Sequence, residues 1–171
     1  MFIGIQHSSG IAAKGYQHMP LRTGYDQVIP HRVTDLYAFG SKEDGVVKEV
    51  SSEHLLVEYA SGKLIGVELG KRFGRAEGTV IPHTMVTDVK PGQTFKRGEI
   101  LAWNSGWFVR DFWNPTQVLW KSATLLRTAI LDTGETYEDS GAISKKATRK
   151  LRSDLSKVVT LTFKKDQKVS Q

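Results

Sequence analysis

Val89-Lys90-Pro91-Gly92-Gln93-Thr94-Phe95-Lys96-Arg97-Gly98-Glu99-Ile100-Leu101-Ala102 is the stretch on which the reading of this 171-residue chain turns. Gly92 and Gly98 release the backbone around a tight corner, because glycine reaches conformations that a Cβ forbids. Val89, Phe95 and Leu101 are the residues expected to point inward from that corner. Glu99–Trp103 then reads as a strand leaving it.

Other short strands follow on both sides, separated by glycine-marked turns. Residues 33–39 alternate well enough for a strand. Val46–Val50 follows the turn Glu43-Asp44-Gly45, and His54–Tyr59 follows Ser51-Ser52-Glu53. Ala60-Ser61-Gly62-Lys63 is a hairpin signal leading into Leu64–Glu68, and Thr79–Ile81 and Met85–Val89 complete the set before the corner. Beyond it, Leu125–Leu131 is the most apolar segment and is predicted to be a buried strand. Residues 1–32 show no clean period and read as mostly loop. Residues 104–117, with Trp107, Phe108 and Trp113 among Asn104, Gly106, Asn114 and Pro115, read as an aromatic loop. Its rings either cover the edge of a barrel or form a partner-binding surface. Residues 143–157 are predicted to be a helix, since Ile143, Ala147, Leu151 and Leu155 recur on one face. Val158–Phe163 reads as a final strand. The predicted organisation is an irregular segment over 1–32, a β region over 33–103, an aromatic loop over 104–124, and a last unit over 125–171.

Composition removes several classes. There is no cysteine, which excludes disulfides, thiolate zinc sites, iron–sulfur clusters and cysteine nucleophiles. The N-terminus has neither a charged leader nor an apolar run, and no stretch approaches the roughly 18 apolar residues of a membrane span. An interior compartment, without secretion, is the resulting expectation. The formal charge of +6 is uneven. Residues 1–140 carry 15 basic against 16 acidic side chains, and residues 141–171 carry 9 against 2. The basic character belongs to the C-terminal segment, where Lys145, Lys146 and Arg149 are candidates for contact with nucleic acid or a partner.

Few side chains form a recognisable catalytic pattern. The histidines His7, His18, His31, His54 and His83 fall in no metal-binding spacing, and Ser8 and Ser9 lie in no nucleophile elbow. Gly70–Arg75 lacks the phosphate-loop pattern and reads as a basic turn. Glu138-Asp139 admits two readings. Adjacent carboxylates before a helix favour its N-terminus. They are also hard oxygen donors suited to Mg²⁺ beside a phosphate.

The Val89–Ala102 corner resembles that of barrel–sandwich hybrid domains, which lipoyl and biotinyl carriers share. Carriers need a lysine at a hairpin tip, typically next to methionine, and no Met-Lys pair occurs here. The corner is therefore evidence of fold and not of function.

Taken in order, a longer series of motifs resembles the beta subunit of multisubunit DNA-dependent RNA polymerases. Gln17-His18-Met19-Pro20 is similar to the family's Gln-x-x-Pro stretch, and Lys42–Val50 to its Lys-x-x-Gly-Val-Val-x-x-Val strand pair. Phe73–Ile81 looks like its Phe-x-Arg-Ser-Asn-Gln-x-Thr-x-Ile. Val86–Ala102 matches its glycine-marked corner with small spacing changes. Thr136-Tyr137-Glu138-Asp139-Ser140 resembles Asn-Tyr/Phe-Glu-Asp-Ala/Ser. The departures are Leu131-Asp132-Thr133 in place of Met-Pro-Trp, and Asn104–Gln117 in place of a Gly-Pro-Ser-Thr-Asp loop. The family's Asn and Arg upstream of the Gln-x-x-Pro have no counterpart.

The resemblance implies part of a double-psi β-barrel with an inserted barrel–sandwich hybrid and one basic C-terminal helix. It places Glu138 and Asp139 near the incoming nucleotide, with Asp139 toward a second Mg²⁺, and Gln17 near the RNA 3′ end. The family carries its first metal on an Asp cluster of the beta-prime partner, and no Asp-x-Asp pattern occurs here. The implied chain is inactive alone and works with beta-prime-like and other beta-like subunits, DNA template and RNA. Such divergence resembles the split polymerases of giant bacteriophages, cytoplasmic in the host or packaged in the virion; a piece of a longer subunit would look the same. The other reading is a non-catalytic hybrid module that docks a partner or nucleic acid through its basic helix, with a carrier domain third.

Overall fold

The computed structural model describes residues 13–18, 20, 22, 24–32, 37–76, 79–130, 134 and 141–153. They form a mainly β structure of antiparallel sheets with two short helices.

The corner folds as its composition demands. Gly92 and Gly98 take φ of +81° and +87°, and Val89, Phe95 and Leu101 are all buried. The short strand at Thr94–Phe95 (β8) pairs with Gly45–Val50 (β3), and Ile100–Asn104 (β9) leaves the corner. Backbone bonds tie the corner down: Gly92 N–H donates to the Val47 carbonyl at 2.7 Å, and Gly98 N–H to the Ser41 carbonyl at 2.9 Å. Asp44 accepts from Lys96 Nζ at 2.9 Å and from the Arg97 backbone N–H at 2.8 Å. The Lys96 bond and then the Arg97 N–H hold its carboxyl below the ordinary carboxylate range.

Two four-stranded sheets enclose the first core. One runs β5-β4-β3-β8, where β4 is His54–Tyr59 and β5 is Leu64–Glu68. Strand β4 shows the period of two that a half-buried strand requires: Leu55, Val57 and Tyr59 are buried. The other runs β2-β9-β7-β6, where β2 is Ala38–Gly40, β6 is Gly70–Ala76 and β7 is Thr79–Val86. Leu101 and Ala102 of β9 meet Val47, Leu55, Val57, Phe95 and Met85 in this core. The expected basic turn at Gly70–Arg75 is instead a strand, paired with β7 from Gly70↔Met85 to Ala76↔Thr79.

A second core lies on the other side of β9. Ile100 and Trp103 pack there with Ala38, Trp107, Phe108 and Val118. Every residue of β9 is buried, because the strand is a wall shared by both cores. The expected loop over 104–124 is largely a hairpin: Phe108–Arg110 (β10) pairs with Val118–Ala123 (β11). Trp107 and Phe108 are core, whereas Phe112 and Trp113, each 84% exposed, mark the hairpin loop. The segment expected to be loop before residue 33 contains Gln17–His18 (β1), paired with β11, and a helix at Tyr25–Arg32 (α1). Eight residues containing Pro30 are too short and too interrupted to display a helical period.

Two other expectations change. Residues 124–130 are neither a strand nor buried; Leu125 and Leu126 are exposed, and Ile130 entirely so. The helix over 143–157 is observed as Lys145–Lys150 (α2), capped by the Ser144 hydroxyl, which accepts from the Ala147 N–H at 3.2 Å. No acidic residue stands in its first turn, so the Glu138-Asp139 pair does not cap it. Val158–Phe163 lies outside the described residues.

Candidate functional site

The β1–β11 pairing decides where the candidate residues lie. Gln17 sits opposite Ala123 and His18 opposite Lys121, with an irregularity between them. Gln17 is exposed at this sheet edge, at the point where β11 runs on into residues 124–130. The turn before β1 receives the end of α2. Lys14 N–H donates to the Arg152 carbonyl at 2.8 Å, and Gly15 N–H to the Lys150 carbonyl at 2.7 Å. These donors satisfy carbonyls that the end of a helix leaves without intrahelical partners. The structure thus brings the strand of Gln17 and the basic helix, 130 residues apart in the chain, to one corner.

Gly15 makes this approach possible. A Cβ there would lie 2.7 Å from the Lys150 carbonyl oxygen and closer still to the Lys150 Cβ. Backbone cannot yield as a flexible side chain does. Gly15→Ala is therefore expected to cost about 1–2 kcal/mol, at the lower end of the overpacking range. The loss should be local. Hydrogen exchange at the amides of residues 14 and 15 should quicken while that of Leu55 and Val57 stays unchanged.

Lys145, Lys146 and Arg149 are exposed on α2. Lys146 helps to line an open groove of about 690 Å³ between the helix and residues 125–129. Leu125, Leu126, Ile143 and Ala147 give the groove apolar surface, and Arg127, Lys146 and Lys150 give it positive charge. The helical stripe read from Ile143 and Ala147 therefore meets the apolar run read from Leu125. Glu138 and Asp139 lie outside the described residues. Among the described residues no group of three His, Asp or Glu side chains could hold a metal ion. His54 instead bonds Glu49 and Ser51, and the half-buried His31 has its pKa lowered by burial and then by Arg32.

Two features had no signature in the sequence. One is a small polar cavity walled by Lys14, Asn104 and Lys121 among others. Burial pushes the Lys121 ammonium below its ordinary pKa, and it donates to the Ser105 carbonyl. The other is the buried Asp111, which binds Arg22 at 2.9 Å across 89 residues. Both join segments that are remote in the chain, and only the β1–β11 pairing and the hairpin bring them into register. No helix among the described residues is long and apolar enough to cross a membrane.

Comparison of the sequence with protein-family models and with curated proteins finds no match.

Proposed function

We propose that this chain is a beta-like piece of a multisubunit DNA-dependent RNA polymerase, inactive alone, that positions nucleotide and Mg²⁺ when assembled. The motif order described above supports this reading. The single structural observation that carries it is the β1–β11 pairing. It sets Gln17 at the start of the segment that leads to Glu138-Asp139, and the basic helix returns to the same corner. In this reading the β2–β9 body is the inserted barrel–sandwich hybrid. Residues 125–130 and the region of the Glu-Asp pair are part of a double-psi barrel, in whose assembly other chains take part. The exposed apolar groove between residues 125–129 and α2 is a docking face for a beta-prime-like or further beta-like subunit. Lys145, Lys146 and Arg149 face nucleic acid or that partner.

Glu138 and Asp139 are hard donors of the kind Mg²⁺ takes, but two carboxylates do not fill an octahedral shell. The ion supplies charge neutralisation on the phosphates when bound. The chain's own part is to orient it, with Asp139 acting directly or through water.

Asp139→Ala, placed in the assembled polymerase, is expected to slow nucleotide addition about tenfold, the scale of losing an outer-sphere metal partner. The Mg²⁺ requirement should rise in parallel. Unchanged addition together with unchanged Mg²⁺ dependence would sink the catalytic role. Purification as a stable monomer that captures no beta-prime-like chain on co-expression would favour a free-standing binding module.

A further inference from the structure

We propose that the cavity walled by Lys14, Thr84, Asn104, Ser105, Gly106 and Lys121 is a binding site for a phosphate group. The proposal stands on this cavity and does not depend on the polymerase reading. Its volume is about 250 Å³, below the roughly 300 Å³ at which pockets for drug-sized ligands begin. A single phosphate or a pyrophosphate with a few waters matches that size. Two of the six named residues are lysines, and no carboxylate of the described residues lines the wall.

The wall is built and held. Asn104 is 1% exposed, and its Oδ1 accepts from the Gly106 N–H at 2.9 Å, which fixes the carboxamide. Ser105 N–H donates to the Thr84 carbonyl at 2.9 Å, Trp107 N–H to the Asn104 carbonyl at 3.1 Å, and Lys121 N–H to the Trp107 carbonyl at 2.7 Å. The turn over residues 104–107 is thereby locked between β7 and β11. The Lys121 ammonium has three donors, and its neutral carbonyl partner on Ser105 supplies no counter-charge. A half-buried cation held that way gains most from an oxyanion. Burial also lowers its pKa.

The phosphate could come from a small ion or from the backbone of a nucleic-acid strand, and the experiment separates these. The full chain, labelled with ¹⁵N at low ionic strength, is titrated with inorganic phosphate, then with pyrophosphate, then with a single-stranded oligonucleotide lacking terminal phosphates. The expected result is saturable shifts at the amides of residues 104–106 and 14–15. Lys121→Met should weaken binding about tenfold or more, the scale of one charge-assisted bond, with amide dispersion unchanged. If the oligonucleotide moves the same amides and is weakened by the same variant, the phosphodiester is the source. If it does not, the site takes the free ion. Should Lys121→Met fail to fold, Lys14→Gln at the exposed rim carries the same comparison. Shifts that rise without saturating and scatter over Lys42, Lys63 and Lys90 would overturn the proposal. So would saturable binding that neither lysine variant weakens.

Discussion

Phe108→Ala is expected to lower the stability of the chain by about 3–5 kcal/mol, the range for deleting a buried ring. Phe108 is 2% exposed at the centre of the second core, between Ile100, Trp103, Trp107 and Val118, with the Tyr37 ring 5.8 Å away. The space left by the ring cannot close easily. Trp107 is held through its backbone to Asn104 and Lys121, and β10 is held in register with β11. The two cores should unfold together, because β9 contributes Leu101 and Ala102 to one and Ile100 and Trp103 to the other. Urea unfolding should therefore remain a single transition with an unchanged slope and a lower midpoint. Trp113→Ala is the matched control. That ring is 84% exposed, and its loss should change stability by no more than about 0.5 kcal/mol. Equal effects from the two variants would mean that the second core does not close in solution.

The contrast between these two rings also marks where the sequence was legible. Gly92 and Gly98 with Val89, Phe95 and Leu101 announced their corner, because both the backbone freedom and the inward spacing are local. The alternation of Leu55, Val57 and Tyr59 announced β4 for the same reason. In residues 104–117 the local signals conflicted. Turn formers bracket strands as short as Phe108–Arg110, so the aromatics read as one loop although only Phe112 and Trp113 lie fully in water. Leu125–Leu131 failed differently. Apolar composition states a preference for burial and not the presence of a cover, and Leu125 and Leu126 line an open groove. Ser144 displaced the carboxylate pair as helix cap because the helix starts at Lys145, later than its apolar stripe suggests. The cavity of Lys14, Asn104 and Lys121 was beyond any reading by spacing. Its wall comes from four segments that only the sheet pairing unites.

Asp111→Ala is the second large loss to expect, about 3 kcal/mol, at the low end of the range for breaking a buried pair. The Asp111 side chain is fully buried, whereas Arg22 is 31% exposed and recovers some hydration when its partner is removed. The carboxylate also accepts from the Trp113 N–H at 2.9 Å and from the Asn114 backbone N–H, so its removal leaves the hairpin loop without its organising acceptor. Burial by itself raises the Asp111 pKa. The Trp113 N–H, the Arg22 hydrogen bond, the Asn114 N–H and the Arg22 charge together outweigh it, and the net shift is downward. The sign of the pH dependence follows. A carboxylate depressed in the folded state stabilises fully above its unfolded pKa, about 3.9, and loses that contribution as pH falls through the lower folded value. Asp111→Asn keeps the shape and one oxygen acceptor but abolishes this titration. The stability gap between the parent and Asp111→Asn should be widest near neutrality and should narrow below about pH 4 as the parent's carboxylate protonates. Near-UV circular dichroism should change in the same variants, because the T-shaped pair of Phe112 and Trp113, 5.5 Å between centroids, stands on the loop that Asp111 organises. A gap that stays constant from neutrality to pH 3 would show that the Arg22–Asp111 bond does not tie the N-terminal segment to the hairpin.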